Sequence, residues 1–524
     1  MRFPYLRATA LALCSLNGAA SAQPVAQNAE AWRADLAAMT NFIEETHPAP
    51  FAFTDETEWR EGVEQLNERI PSMSDADIIL GLAETVDALN DGHTRLTLPY
   101  AAPALVNARG HSSDAPLAAK YLFAQLPVGF AALSDSLVIA TAAPEHEGLL
   151  GAQVDAIGGK DWRSLLKTAE RYAYGENEGA DRMFAAARLS LLPVLRAGGV
   201  EIEDAAGAVA LSLTMPDGSN LTQRVELIKE ASDVEPMAFA DTLAKPPLRM
   251  KNPGDRQWYE TVGRKAVYLH VDEIAFDPAD PMIDDVEGAV EAAEKADVPL
   301  ILDLRDNGGG NGFHNRTLVT GLLRSDHLTD FGNLRVLIGP RTFSAAQFVV
   351  NELERFAQPI FIGLPTGAHP SHYGDSRKLA LPNSGMTLRV SSMAWSNWNG
   401  WYDPRSATAP HYRAEATRED FLEGRDAALE KALSLPANIG ILDLLEHQLR
   451  EERGYESFII IFNANTASGK SRPSVEDFLA LGETFESEGR DDLAGFLYRR
   501  AAAFHPDHGA LAAAVARTEP PAEE

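Results

Sequence analysis

The sequence predicts an α/β protein built around a parallel sheet, because short apolar runs alternate with amphipathic helices between residues 251 and 436. Runs of strand length lie at 266–276, 299–307, 334–340 and 359–365, and helical patterns lie at 285–296 and 344–357. This alternation is typical of βαβ units, whose strands are buried on both faces. The regions on either side of this core follow different patterns.

Two regions of different character precede the core. Residues 23–110 predict a helical N-terminal region, because apolar residues such as Leu36 and Ile43 recur at helical spacing. Residues 111–250 predict a β-rich middle domain with alternating apolar residues and a Pro-Asp-Gly hairpin tip at 216–218. We therefore expect a β-rich domain between the helical region and the core.

Residues 437–524 predict a helical tail. Two helical hairpin patterns align with Gly454 over Gly489, a separation of 35 residues that is close to the tetratricopeptide period. A plain helical cap is the alternative interpretation. Two repeats are too few to be stable alone, so we expect the tail to dock on the core.

The first 22 residues predict an export signal. An arginine-bearing start, an apolar stretch and the small residues Ala20 and Ala22 follow one another in the order of a signal peptide. A short buried helix is the alternative. The sole cysteine, Cys14, lies in this segment, so the mature chain is expected to lack disulfides and cysteine ligands. The predicted location is the periplasm or the exterior of the cell.

Composition excludes several classes of function. The chain of 524 residues has 46 Lys and Arg against 76 Asp and Glu, a formal charge of −30, which repels nucleic acid. No later stretch has 18 uninterrupted apolar residues, so no stable membrane span is expected. We expect a peptide or protein substrate as the partner, and the sequence leaves self-association into a homo-oligomer open.

Motifs for cofactors are incomplete. The Gly-Lys-Ser at 469–471 lacks the first glycine of a phosphate loop, since position 464 is Ala464. The glycine run at 308–312 is followed by Phe313, where a dinucleotide fingerprint needs glycine. The histidines show no metal-ligand spacing. We therefore expect no cofactor and no metal.

Three short strings stand where an element ends: LNDGHTRL at 89–96, LILDLRDNGGGNG at 300–312 and IGPRTFSAAQF at 338–348. In the third, Ser344 is expected at the N-terminus of a helix, where the helix dipole and unpaired N–H groups can stabilise an oxyanion. The glycine loop is expected at the same edge of the sheet. The alternative is that Ser344 is an ordinary N-cap and that the glycines form an ordinary turn.

Together these strings resemble the serine-peptidase family of C-terminal processing (tail-specific) proteases and the tricorn protease core. The resemblance extends over most of the chain and is closer to the tricorn-like branch. It implies a crotonase/ClpP-like core of stacked ββα units, with a middle domain that is PDZ-like or simply β-rich. It also implies hydrolysis of peptide bonds through an acyl-enzyme.

The resemblance assigns the site residues. Ser344 corresponds to the nucleophile, His93 to the general base, and Gly309 and Ala345 to the donors of the oxyanion hole. Asp403 is the sole carboxylate in the segment where the family has its third member, so it is the predicted orienter of the base.

Two departures from the family pattern concern the base and its neighbour. His369 stands where the tail-specific branch has its catalytic lysine, so a Ser–Lys dyad is not expected. Gly92 precedes His93, where the tricorn branch has a serine. The base is therefore predicted to be His93, with His369 in a packing role.

Two functions are compatible with these residues. The first is an exported serine peptidase, in which the aromatic residues of 395–402 either shape a specificity pocket or simply fill a domain junction. The second is a non-catalytic ligand- or peptide-binding module on the same fold. The presence of both Ser344 and His93 favours the peptidase, and a crotonase-like acyl-CoA enzyme is disfavoured because no basic patch is present for the nucleotide.

Overall fold

The computed structural model describes residues 28–106, 123–202, 207–252, 254–279, 281–396, 403–467 and 471–519. These residues form a mixed α/β architecture of helices and four sheets, as the sequence predicts at that level. The predicted signal peptide, residues 1–22, lies outside the described residues. Within the described ranges, no helix is both long enough and apolar enough to cross a membrane.

Three helices and a short strand form the first part: α1 Ala29–Thr46, α2 Glu56–Arg69, α3 Asp75–Asp87 and β1 Arg95–Leu96. Helix α3 begins after Ser74, whose side chain accepts a hydrogen bond from the N–H of Asp77. It buries an apolar stripe that includes Ile78, Leu82 and Val86. The helical prediction for this part is confirmed, and the DGHT string forms the turn between α3 and β1.

The middle part combines an antiparallel sheet with helices: β2 Val128–Ala132, β3 Leu137–Ala142, β4 Gln153–Ile157, β5 Lys160–Asp161, α4 Trp162–Ala169, α5 Glu178–Arg188, α6 Leu192–Ala197, β6 Ala208–Thr214, β7 Asn220–Glu226, β8 Met237–Ala238 and α7 Phe239–Thr242. The sheet order is β2-β3-β4-β6-β7, with β5 on β4 and β8 on β3. Thr214 pairs with Asn220 across the predicted hairpin tip. The part holds more helix than the β-rich prediction implies, because the stretch from 162 to 197 forms α4, α5 and α6.

The core has the predicted alternation: β9 Gln257–Val262, β10 Ala266–Val271, α8 Met282–Ala296, β11 Leu300–Asp303, α9 Asn315–Leu323, α10 Asp326–Thr329, β12 Leu334–Ile338, α11 Ala345–Phe356, β13 Ile360–Gly363, β14 His372–Gly374, β15 Arg377–Ala380, β16 Thr387–Val390, β17 Met393–Trp395, β18 Tyr412–Arg413, α12 Arg418–Glu423 and α13 Ala427–Ser434. Its main sheet has the order β18-β13-β12-β11-β10-β9. Only the β9–β10 pair is antiparallel.

The main sheet is covered on both faces. Because side chains alternate along a strand, Leu300 and Leu302 face helices α8, α9 and α11, whereas Ile301 faces the tail. The tail consists of α14 Ile441–Arg450, α15 Gly454–Thr466, α16 Val475–Ser487, α17 Asp491–Phe504 and α18 Gly509–Thr518. Apolar residues of the tail share one buried cluster with the sheet. The tail therefore docks on the core as predicted.

The carboxyl ends of the parallel strands open at one edge of the main sheet. Asp303 of β11 pairs in register with Leu337 of β12, and Ile338 of β12 pairs with Gly363 of β13. The loops after β11 and β12 therefore meet. Buried ion pairs of Arg305 with Asp303 and Asp426 brace the first of these loops.

The turn after α3 reaches the same edge through a small sheet of order β1-β16-β15. Arg95 of β1 pairs with Arg389 of β16. The hydroxyl of Thr94 accepts a hydrogen bond of 3.0 Å from the N–H of Ser391. A second small sheet, β14-β17, lies beside this turn, since a Cβ at Gly374 would be 3.7 Å from the His93 ring.

Candidate active site

Ser344 occupies a strained turn between β12 and α11. Its backbone has φ 55° and ψ −122°, a combination that non-glycine residues rarely adopt and that costs roughly 1–3 kcal/mol. Its side chain makes no capping hydrogen bond to α11, so the interpretation of Ser344 as an ordinary N-cap is wrong. Strain of this kind persists where the surroundings fix it, and it is typical of nucleophile turns at a strand-to-helix junction.

The glycine loop packs directly against this serine. A Cβ at Gly309 would lie 2.6 Å from the Cβ of Ser344 and 3.0 Å from the N of Ala345, and the φ of Gly309 is 105°. Only glycine fits there. The N–H of Phe343 donates to the carbonyl of Asn307, at 3.1 Å, which ties the loop to the serine turn.

The N–H groups of the two predicted oxyanion donors differ in their hydrogen bonding. Among the described residues, the N–H of Ala345 has no hydrogen-bond acceptor, as expected for the first residue of a helix. The N–H of Gly309 instead donates to Oδ1 of Asn307, at 2.9 Å. The next N–H in the loop, that of Gly310, has no acceptor in the described part of the chain. Gly310 is therefore the loop residue whose N–H is available as a second donor, and sequence reasoning missed it because only the fold shows which N–H is already bonded.

His93 lies over the serine turn. Its ring stacks on Phe343, the residue before Ser344, with the ring centroids 4.4 Å apart, and its side chain is 14% exposed. Its Nδ1 is buried and has no hydrogen bond to any residue that the structure describes. No hydrogen bond joins His93 to the Ser344 hydroxyl among the described contacts, as is common when no substrate is bound. The structure thus brings the predicted base against Phe343, the residue that precedes the predicted nucleophile.

Asp91 fixes the turn that carries His93. Its carboxylate accepts hydrogen bonds from Nε2 of His47 at 3.0 Å, the hydroxyl of Thr94 at 2.5 Å and the N–H of His93 at 3.1 Å. Burial alone would raise the pKa of Asp91, but these bonds and the nearby imidazoles hold it well below its usual range. Asp91 is therefore a buried anion.

Glu176, in the loop before α5, is the second carboxylate beside His93. Its Oε1 accepts the N–H of Gly92 at 3.1 Å and lies 3.6 Å from Nδ1 of His93. Its Oε2 accepts the N–H of His369 at 2.8 Å. Sequence reasoning missed Glu176, because a glutamate just before the helix-capping Asn177 has no distinctive pattern.

Asp403 is placed elsewhere. Its carboxylate is bonded to Arg405, which also forms a bidentate pair with Glu354, at 2.7 and 2.8 Å. Its N–H donates to the hydroxyl of Ser371. The carboxylates that the structure places beside His93 are therefore Asp91 and Glu176, and the prediction of Asp403 as the orienter needs correction. The prediction failed because the fold, and not chain order, decides which acid reaches the base.

His369 contacts other groups than the serine. Its ring stacks on Phe53 with centroids 4.1 Å apart, and its Nδ1 lies 3.3 Å from the carbonyl of Arg405. Among the described residues, it forms no hydrogen bond with Ser344. This placement agrees with a packing role for His369.

An aromatic wall adjoins the base. His372 stacks in parallel with His93, with centroids 5.5 Å apart, and on Phe348, which in turn lies 5.7 Å from Trp395. Burial lowers the pKa of His372 to about 4, so this ring is neutral at pH 7. Of the predicted aromatic residues, Trp395 is thus near the site, whereas Trp398, Trp401 and Tyr402 lie outside the described residues.

Asp91, His93 and Glu176 each offer one ligand atom, and these atoms lie within 4.8 Å of one another. However, all four carboxylate oxygens of Asp91 and Glu176 already accept hydrogen bonds from N–H or O–H donors. The arrangement suits the support of an imidazole better than metal coordination.

A strained serine at a helix N-terminus, a glycine loop against it and an imidazole stacked on the residue before it define a candidate serine-hydrolase site on an α/β fold. Among solved structures, mature CPAF complexed with lactacystin is similar, with a TM-score of 0.53 and 14% identity over 77% of this chain and 98% of that one. Mature CPAF matches with a TM-score of 0.51 and 14% identity, over 81% and 98% of the two chains. Comparison with protein-family models and with curated sequences gives no match. The likeness confirms, at the level of the fold, the resemblance that the three strings predict.

Proposed function

We propose that this protein is a serine peptidase that cleaves peptide bonds through an acyl-enzyme on Ser344, with His93 as the general base. The observation that carries the proposal is the strained backbone of Ser344, held against Gly309 at the start of α11 and preceded by Phe343, whose ring stacks on His93. An ordinary helix cap needs no such strain. The likeness of the fold to that of mature CPAF supports the same conclusion.

In the proposed reaction, Oγ of Ser344 attacks the peptide carbonyl while Nε2 of His93 takes the hydroxyl proton. The resulting oxyanion accepts hydrogen bonds from the N–H groups of Ala345 and Gly310. His93 then gives its proton to the departing amine, which leaves the acyl-enzyme. A water molecule, activated by the same imidazole, releases the carboxylic acid and restores the serine hydroxyl.

The finer features of the fold belong to the same proposal. We assign a crotonase/ClpP-like core because strands and helices alternate from β10 to β13. A PDZ-like middle part is supported by the antiparallel sheet and by helices α4 and α5 that pack on it. Export to the periplasm or beyond is supported by the pattern of residues 1–22, and N-terminal sequencing of the protein recovered from the cell envelope would test it by starting at Gln23.

A fluorophosphonate probe tests the proposed nucleophile. The unmodified chain should be labelled, and Ser344→Ala should not. Ser474→Ala is a matched control, because Ser474 also precedes a helix but has ordinary backbone angles and a normal capping bond. It should be labelled like the unmodified chain. Equal labelling of the unmodified chain and Ser344→Ala would reject the nucleophile, and peptide binding without any turnover would favour the non-catalytic binding module.

A further inference from the structure

We propose that Glu176 is the carboxylate that positions the imidazole of His93, in the place that the sequence pattern gives to Asp403. The inference rests on the proposed peptidase function. Glu176 belongs to the middle part of the chain, His93 to the N-terminal part and Ser344 to the core. The reacting constellation is therefore assembled from three separate parts of the chain.

The carboxylate of Glu176 is held by backbone donors on two sides. The N–H of Gly92, next to the base, and the N–H of His369, in the loop after β13, each donate to one of its oxygens. Its side chain is 1% exposed. A carboxylate fixed in this way has no freedom to turn away, so its position relative to the turn of His93 is set by the backbone.

The oxygen that accepts the Gly92 N–H is also the one that faces His93. It lies 3.6 Å from Nδ1, which is buried and has no hydrogen-bond partner among the described residues. A small rotation of the ring brings this pair to hydrogen-bond distance, and catalytic hydrogen bonds often tighten when substrate binds. A proton on Nδ1 leaves Nε2 as the free base, which is the tautomer that proton removal from serine requires.

Asp91 is less suited to this role. It lies 4.0 Å from Nδ1, against 3.6 Å for Glu176, and its hydrogen bonds are with His47, Thr94 and the backbone of His93. Its contacts hold the turn, whereas Glu176 is the nearer acceptor for the ring itself.

Because Gly92 has no side chain, Glu176 and the serine turn can both lie close to the turn of His93. A Cβ at this position would lie 2.9 Å from the ring of Phe343 and 3.1 Å from the carbonyl of Tyr174. A side chain there would push apart the turn of the base, the segment that leads to Glu176, and the residue before Ser344. Glycine therefore lets all three parts meet.

The charges around His93 set the sign of a pH effect. The titratable groups that face its ring are Glu176, Asp91 and His372, and His47 lies behind Asp91. His372 is neutral at pH 7, so the carboxylates of Glu176 and Asp91 are the negative charges that lie beside the ring. Removal of one negative charge, as in Glu176→Gln, makes the imidazolium less stable. The acid limb of the pH–rate profile should then move to lower pH.

The test compares Glu176→Gln and Glu176→Ala with Glu354→Gln, a control that also removes a buried carboxylate but one that pairs with Arg405 and does not touch His93. We expect Glu176→Gln to lower kcat about 10²–10⁴-fold, with a small change in KM, and to shift the acid limb downward. Formate should partly restore Glu176→Ala, since it can refill the lost carboxylate position. Glu354→Gln should lose thermal stability, and the pH profile of its folded fraction should not move.

A second measurement needs no catalytic activity. In Ser344→Ala protein with labelled histidines, NMR should show a strongly downfield proton on Nδ1 of His93, and this resonance should be lost when Glu176→Gln is added. An unchanged kcat, pH profile and Nδ1 resonance in Glu176→Gln would overturn the inference and leave the peptidase standing. Absence of labelling at Ser344 in the unmodified chain would reject the proposed function, and the NMR result would still decide whether Glu176 holds the ring.

Discussion

The serine turn and the histidine turn are built in opposite ways. Ser344 is fixed by neighbours within the core, since the ends of β11 and β12 bring Gly309 and Phe343 to it. His93 depends on residues that are far away in the chain, because Asp91 of its turn bonds to His47 and Gly92 of its turn bonds to Glu176 of the middle part. The nucleophile is thus positioned by the loops of one sheet, whereas the base is positioned by contacts between separate parts of the chain. The predictions below test this difference.

The largest expected effect concerns the base. His93→Ala should lower kcat/KM on the order of 10⁴-fold or more, about as much as Ser344→Ala, because nucleophile and base act as one unit. His369→Ala should cost only a few-fold, since its backbone N–H, and not its ring, bonds to Glu176. Steady-state hydrolysis of a peptide library measures both.

The pH–rate profile of the unmodified chain supplies a check on the same assignment. It should rise between about pH 6 and 7.5, the range in which histidine bases act. Full activity in His93→Ala together with loss in His369→Ala would reverse the assignment.

The next effect concerns the local turn. Gly309→Ala should lower kcat about 10²–10³-fold, because the new Cβ would lie 2.6 Å from the Cβ of Ser344 and would displace the oxyanion donors. Gly312→Ala is the control from the same loop. Its Cβ would meet its nearest neighbour, the Cβ of Ala345, at an ordinary 3.9 Å. Its kcat should stay within about threefold of the unmodified value. Similar losses in the two variants would show that the loop as a whole, and not the contact with Ser344, matters.

The difference between the serine turn and the histidine turn also explains which features could be predicted from the sequence. The strands and helices of the core follow from periodicity, and Ser344 follows from its place after a buried strand, because both signals lie in contiguous residues. The tail also has a readable helical pattern, and its docking on the sheet is confirmed.

The acid beside His93 could not be predicted in this way. Asp403 is the sole carboxylate in its segment, but Arg405, two residues later, forms an ion pair with it. Glu176 reaches His93 only because α3, the loop before α5 and the loop after β13 converge. The predicted donor Gly309 failed for a similar reason, since the acceptor Asn307 takes its N–H. These contacts cannot be inferred from the order of residues along the chain.

A smaller effect should appear in stability. Ser344→Gly should raise the free energy of unfolding by about 1 kcal/mol, because glycine adopts φ 55° and ψ −122° without the side-chain clash, and it should abolish hydrolysis. Ser474→Gly, at a helix start with ordinary angles, should instead lose a few tenths of a kcal/mol with its cap. Denaturant unfolding measures both. A loss of stability in Ser344→Gly would show that the serine turn is not strained.

The smallest effect concerns the pH dependence of stability at the contact between the turn of His93 and the segment that leads to Glu176. Asp87 ends α3 and accepts the N–H of Tyr174, so it joins the turn of the base to the segment that leads to Glu176. Burial and the nearby charge of Asp181 raise the pKa of Asp87 to about 7, and the N–H of Tyr174 and the charge of Arg188 oppose this only in part. The unfolded chain loses the same proton near pH 4. Between about pH 4 and pH 7 the folded state therefore binds more protons than the unfolded state, and stability falls as pH rises through this window.

Asp87→Asn should remove this contribution and be more stable than the unmodified chain at pH 8. The substitution Glu64→Gln, at an exposed position, should leave the dependence of stability on pH unchanged. Denaturant unfolding at pH 5 and pH 8 measures the difference, and an Asp87→Asn variant that is less stable at pH 8 would mean that the ionised Asp87 is needed to hold the two segments together.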